Sequence, residues 1–324
     1  MRNLTLPWCV AQSVAAEAQR RANSDFSVFL LNDFPDRGSS YELCYNHPVP
    51  DPEIPLLRHP LTEPSAFTAE GLISAVRNER GAASATVPRV CLLEFDGDLT
   101  DWLVENGHTK IYKDWACFHT LMHSIDVDGT SCGIIARTIG GPYAVLIAEQ
   151  LKVSGAEVVL GLTSAGRVAP ALPLPNLTIV REAVRDEGTS YHYLSPNATV
   201  QANAALARYL EEGLGAVGLP TFAGRVWTTD APYRETKGQL DDHAANGVLA
   251  VEMQAASLLA FSQARDIPVG VVALVSNAVD QAEENFNKGT HLFGKRIVEA
   301  MCRSAIAYLN EVQHDARISA QHSG

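Results

Sequence analysis

Short motifs carry the residues able to do chemistry: FDGDLTD (95–101), TIGGP (138–142), LTSAG (162–166), VEMQAA (251–256) and SNAVD (276–280), with RDEGTSYHY (185–193) and TTDAPYRET (228–236) beside them. Asp98 and Asp101 are carboxylates, and a carboxylate one hydrogen bond from a water is a competent general base, although Asp is also common where helices start. Gly140 and Gly141 ahead of Pro142 leave backbone amides open to an anion at a helix start, or serve only as turn chemistry. Asn277 is no general acid, but its amide can hydrogen-bond both a carbonyl and a ring nitrogen; the alternative is a turn residue. Asp280 is a second candidate acid, or a helix cap. Tyr191, His192, Tyr233 and Arg234 offer aromatic faces and a guanidinium fork, which suit a planar heterocycle bearing carbonyls. Against that stand a structural role for His192 and a solvated surface role for Arg234.

These motifs sit where apolar strands end. The runs at 90–95, 132–138, 157–163, 177–182, 222–229, 247–252 and 268–276 read as strands, most of them buried on both faces. Between them, 142–155, 200–215, 253–266 and 291–310 carry apolar residues at helical spacing. The alternation predicts an α/β fold, three-layer α/β/α with a central mixed, largely parallel sheet. In such sheets ligands bind beyond the carboxyl ends of the strands, where the motifs fall. Residues 1–87 read as an irregular N-terminal extension packing on the core, rich in Pro and turn formers, with one short helix from Thr68 to Asn78. The main domain is set at 88–312, and 313–324 as a flexible C-terminal tail.

Composition narrows the classes further. With 324 residues, 46% hydrophobic and 19% charged, the chain is long enough and apolar enough for a sizeable core. Its 25 Lys and Arg against 37 Asp and Glu give a net charge of -12 without a basic cluster, which argues against nucleic acid as a partner. No apolar run approaches the ~20 residues of a membrane span, and the first residues lack the apolar core of a secretory signal, so a cytoplasmic location is expected. The six cysteines are scattered, without zinc-site spacing, so neither disulfides nor a metal is expected.

In order, Gly140-Gly141-Pro142 with a following E-Q-L, Thr163-Ser164-Ala165-Gly166, Asp230 to Glu235, Glu252-Met253-Gln254-Ala-Ala and Val275-Ser276-Asn277 resemble the nucleoside phosphorylase family, over about residues 88–310. The resemblance implies cleavage of the bond between a nucleobase and ribose, through an oxocarbenium-like transition state, by a homo-oligomer built from dimers. It implies no cofactor, with phosphate open as a co-substrate, and no membrane partner. It places Glu252, Met253 and Gln254 at the ribose, although the last is an amide where the family has a carboxylate. Core packing of Met253 and a satisfied buried carboxylate at Glu252 are the alternatives. Asn277 then suggests a 6-oxopurine or pyrimidine over adenine, with Tyr191, His192, Tyr233 and Arg234 near the base.

For the acceptor, the resemblance implies Gly140, Gly141, Thr163 and Ser164 around a water or anion. Phosphorolytic members bind phosphate through arginines, yet Asp101 and Gly161 stand at two of those positions, and Lys113 answers to the third, a neighbouring subunit's contribution. Arg167 is a candidate to restore phosphate binding. The substitutions tilt the reading towards water, with Asp98 or Asp101 as base. Phosphorolysis by a uridine or purine nucleoside phosphorylase stays close behind, and a nucleoside-binding protein that keeps the fold without turnover is the rival class.

Overall fold

The run Val-Cys-Leu-Leu-Glu forms strand β1 (Val90–Glu94), and all of it is buried because helices cover both of its faces. Cys91 and Leu93 point to one side, where α3 (Gly141–Val153) and α6 (Ala255–Arg265) pack. Val90 and Leu92 point to the other, against α2 (Asp98–Glu105), α4 (Ala204–Leu214) and α7 (His291–His322). This alternation of neighbouring residues onto opposite apolar layers is the strand period of two, and it makes the molecule a three-layer α/β/α structure. The computed structural model describes residues 54–81, 86–278 and 289–322, with side chains as far as His314.

The remaining strands are β2 (Lys110–Ile111), β3 (Met122–Val127), β4 (Thr130–Ala136), β5 (Val158–Arg167), β6 (Asn176–Asp186), β7 (Thr199–Gln201), β8 (Thr221–Thr229), β9 (Val248–Glu252) and β10 (Val269–Ala278). The sheet is mixed. β1 runs parallel with β4 and β5, β5 with β10, β6 with β8, and β8 with β9. The other pairings are antiparallel.

β5 is the hinge of this topology. One of its edges pairs with β10 along nearly its whole length. The other is shared: β1 holds it as far as Leu162, opposite Glu94, and β9 takes over at Gly166, opposite Val251. Because β10, β6, β8 and β9 pair in turn and β9 returns to β5, these strands close into a ring. Between Leu162 and Gly166 the edge of β5 belongs to neither neighbour, which opens a crevice at the strands' carboxyl ends.

Several elements go beyond the sequence reading. The helix expected from Thr68 to Asn78 runs as α1 (Ala69–Arg80), capped by the Thr68 side chain and closed by left-handed Gly81. Its Ile73 and Val76 are buried beside Ala116 and Val153. The helix expected over 200–215 starts only at Ala204, where Asn203 caps it, and 199–201 is β7. The expected C-terminal tail is helical as far as His322, since residues 311–322 include no Gly or Pro to stop α7. Among the described residues no helix is long and apolar enough to cross a membrane.

Candidate functional site

Two glutamates build the crevice. Each ends an apolar strand, and each is buried with its carboxylate reaching forward to the start of the next helix. Glu94, at the end of β1, accepts from the backbone amides of Gly97 (2.8 Å) and Thr100 (3.1 Å). Glu252, at the end of β9, accepts from the amides of Gln254 (2.6 Å) and Ala255 (2.8 Å) and from the Thr228 hydroxyl (2.5 Å). Helix starts leave such amides without intrahelical partners, and an anion there also meets the positive end of the helix dipole. Burial nevertheless dominates: it pushes both carboxyls up, Glu252 to about 7. Glu252 is thus a buried carboxyl group held by three hydrogen bonds.

At the mouth of the crevice the Ser164 hydroxyl donates to Asp96 (3.0 Å), and the Thr163 hydroxyl donates to Gln254 Oε1 (3.2 Å). These bonds tie the unshared part of β5 to the β1 turn on one side and to the β9–α6 junction on the other. Met253 is half-buried at that junction and Gln254 is buried. Asn277 lies at the end of β10, half-buried, opposite Gly166 and just beyond a bulge in the β5–β10 pairing. Asp280 lies outside the described residues. A cavity of about 70 Å³ beneath the turn is lined by Glu94, Asp96, Asp98, Thr163, Ser164 and His291, among others. His291 Nε2 stands 3.8 Å from the Asp98 carboxylate.

Carboxylate oxygens of Glu94, Asp96 and Asp98 lie within 4.8 Å of one another. An all-oxygen set of this kind suits a hard cation such as Mg²⁺ or Ca²⁺ better than zinc, and exposed acids often cluster this way with no ion between them. Asp98 and Asp101 occupy the first turn of α2, where acidic residues are favoured. Asp101 is further engaged: both its oxygens accept from the Arg137 guanidinium, which holds its carboxyl below the usual range.

Gly140 has a positive φ (+88°) with an extended ψ, a backbone conformation that favours glycine, and α3 starts directly after it with Pro142 in its first turn. Gly141 is required by packing, because a Cβ there would lie 2.1 Å from the Ser257 hydroxyl oxygen. Ser257 donates in turn to buried Glu187 (2.5 Å), which accepts from the Ser190 amide and so orders the 189–192 turn. That turn carries Tyr191 and His192. Tyr191 donates to the Arg185 carbonyl and lies under the Arg185 guanidinium, 4.3 Å from ring centre to Cζ. It shares a cavity of about 480 Å³ with Arg234, Trp227, Glu235 and the Ile54–Leu57 segment.

The structure does not gather all the expected site residues. His192 turns away from that cavity, its ring 3.7 Å from that of His59, and lines a different one beside α1 and α3. Tyr233 is fully exposed. Arg167 donates to the Leu172 carbonyl (3.3 Å). Lys113 is exposed and lines a surface pocket with Arg80, Trp115 and Phe118. Residues not singled out in the sequence hold the site together: Glu94, Arg137, Glu187, Thr228, Ser257 and His291. Glu94 had a signal, one that Glu252 shares: a lone acid ending an apolar run, as in Val90–Glu94 and Val248–Glu252, marks a carboxylate that must find partners indoors.

A mixed sheet with polar groups gathered where a strand edge changes hands is an α/β fold with its candidate small-molecule site at the strands' carboxyl ends, where such sheets bind ligands. The chain belongs to the phosphorylase superfamily, whose family model matches residues 89–310. It is 25% identical over 175 residues to a uridine phosphorylase of Salmonella typhimurium, covering 49% of this chain and 69% of that protein. It is 25% identical over 186 residues to a uridine phosphorylase of Thermococcus kodakarensis (53% and 64%), and 28% identical over 153 residues to a guanosine phosphorylase of Halorubrum lacusprofundi (46% and 61%).

Proposed function

We propose that the protein cleaves the N-glycosidic bond of a nucleoside and passes the sugar to water, acting on a 6-oxopurine or pyrimidine nucleoside in preference to adenosine. The observation that carries the choice of water is the acidic turn beside Ser164, where three carboxylates converge and Asp101 takes up the guanidinium of Arg137. A phosphate dianion would meet like charge there, whereas a water would find acceptors. In this reading Asp98 takes the proton from the attacking water. Met253 and Gln254 hold the sugar, and Asn277 hydrogen-bonds the departing base. Tyr191 and Arg234 form the wall of the base pocket. The working protein is a homo-oligomer built from dimers.

Phosphate as acceptor is the second reading. It is favoured by the Gly140-Gly141-Pro142 start of α3, which suits an anion, and by the relatives, which are named uridine and guanosine phosphorylases. Incubating the purified chain with uridine, inosine, guanosine and adenosine, with and without phosphate, separates the readings: free ribose without phosphate supports hydrolysis, and ribose 1-phosphate formed only with phosphate supports phosphorolysis. No base release in either condition would point to a binding protein.

A further inference from the structure

We propose that Asp101 selects the acceptor: its carboxylate occupies the guanidinium fork of Arg137 as an internal anion and so keeps an inorganic oxyanion out of the turn after β1. The proposal rests on the N-glycosidic reading above. Asp101 engages Arg137 through both oxygens, Nη1 to Oδ1 at 3.0 Å and Nη2 to Oδ2. A bidentate fork is the geometry in which guanidinium binds carboxylate and phosphate alike, so the two compete for the same donors.

The fork is placed by the backbone. Arg137 adopts a left-handed conformation (φ +62°), uncommon for a side chain this large, and its amide donates to the Glu94 carbonyl (3.0 Å) at the end of β1. Its side chain lies across Gly97, where a Cβ would stand 2.5 Å from Arg137 Cγ, so only glycine permits this approach. The guanidinium thereby rests over the acidic turn, within electrostatic reach of Glu94 and Asp98. Both partners are about half exposed, with side-chain exposures of 58% and 50%, so the contact is one that water and salt weaken and that a substitution removes without a buried penalty. The start of α2 does not depend on it, because Glu94 holds the Gly97 and Thr100 amides.

The test is calorimetric titration of inorganic phosphate into the purified full chain as wild type, Asp101→Asn, Asp101→Ala and Asp101→Asn/Arg137→Gln. Both single variants are expected to bind phosphate at least about tenfold more tightly than wild type, as freeing one bidentate arginine should allow, and the double variant is expected to fall back to the wild-type level. Single variants that bind no more tightly than wild type, or a gain that survives Arg137→Gln, would overturn the proposal. The titration reads binding without turnover, so failure of wild type to release base from any nucleoside would sink the N-glycosidic reading and leave this comparison standing on its own result.

Discussion

Glu252 is 4% exposed, and all the hydrogen bonds its carboxylate receives are not enough to offset burial, which raises its pKa from 4.5 to about 7. Between those values the folded chain binds more protons than the unfolded one, so stability from this group is fully present below about pH 4.5 and is lost as the pH rises through about 7. The loss is at most about 3.5 kcal/mol, at roughly 1.4 kcal/mol for each tenfold change in proton affinity. Urea unfolding across that range is expected to show the decline in wild type and a flatter profile in Glu252→Gln; equal slopes would remove Glu252 as its source. Two residues on, Gln254 accepts from the Thr163 hydroxyl and the Met253 amide. A glutamate can accept from both donors and adds a negative charge that favours a cationic sugar in a dry site. Gln254→Glu is therefore expected to raise kcat/KM for base release by roughly tenfold or more. An inert wild type with an active variant would mean a site that has lost turnover, and no change in an active enzyme would mean that the sugar's charge is met elsewhere.

Helices α3 and α6 cross where Gly141 meets Ser257, and this contact sets how closely the Gly140–Gly141 turn approaches the Met253–Gln254 junction. Gly141→Ala is expected to cost about 1–3 kcal/mol in urea unfolding by overpacking. A cost near zero would mean that the helices separate freely. Most of the elements that position the site are legible in the sequence, because buried strands and helices announce themselves by unbroken or periodic apolar residues, as in Val269–Ala278 and Ala255–Arg265. What is not legible has physical reasons. Helix α5 (Lys237–Ala245) has no buried residue and so no apolar stripe; its signal is the capping box of Thr236 and Gln239. Helix α2 is short and follows a motif that reads as a turn, because its cap is left-handed Gly97 and its capping carboxylate, Glu94, belongs to the preceding strand. The Arg137–Asp101 pair joins residues 36 apart in sequence, a partnership that spacing alone does not give.

At the scale of the whole molecule, the closing of β5, β10, β6, β8 and β9 into a ring explains why Gln254 and Asn277, far from β5 in sequence, meet Thr163 and Gly166 along it. The net charge of -12 also has a local form there, in the carboxylates of Glu94, Asp96 and Asp98 on which the proposal of water as acceptor rests. Ile111, Phe118 and Leu121 are each more than half exposed on the surface around Lys113, a face suited to burial between subunits. Light scattering is expected to give a mass that is an even multiple of 34.9 kDa, and a monomer at assay concentration would contradict the proposed assembly. The central claim is most directly tested by the products formed from uridine and guanosine in phosphate-free buffer. Free base and free ribose are expected in equal amounts, at a rate that added phosphate does not raise. Release that begins only when phosphate is supplied, with ribose 1-phosphate as the product, would contradict it.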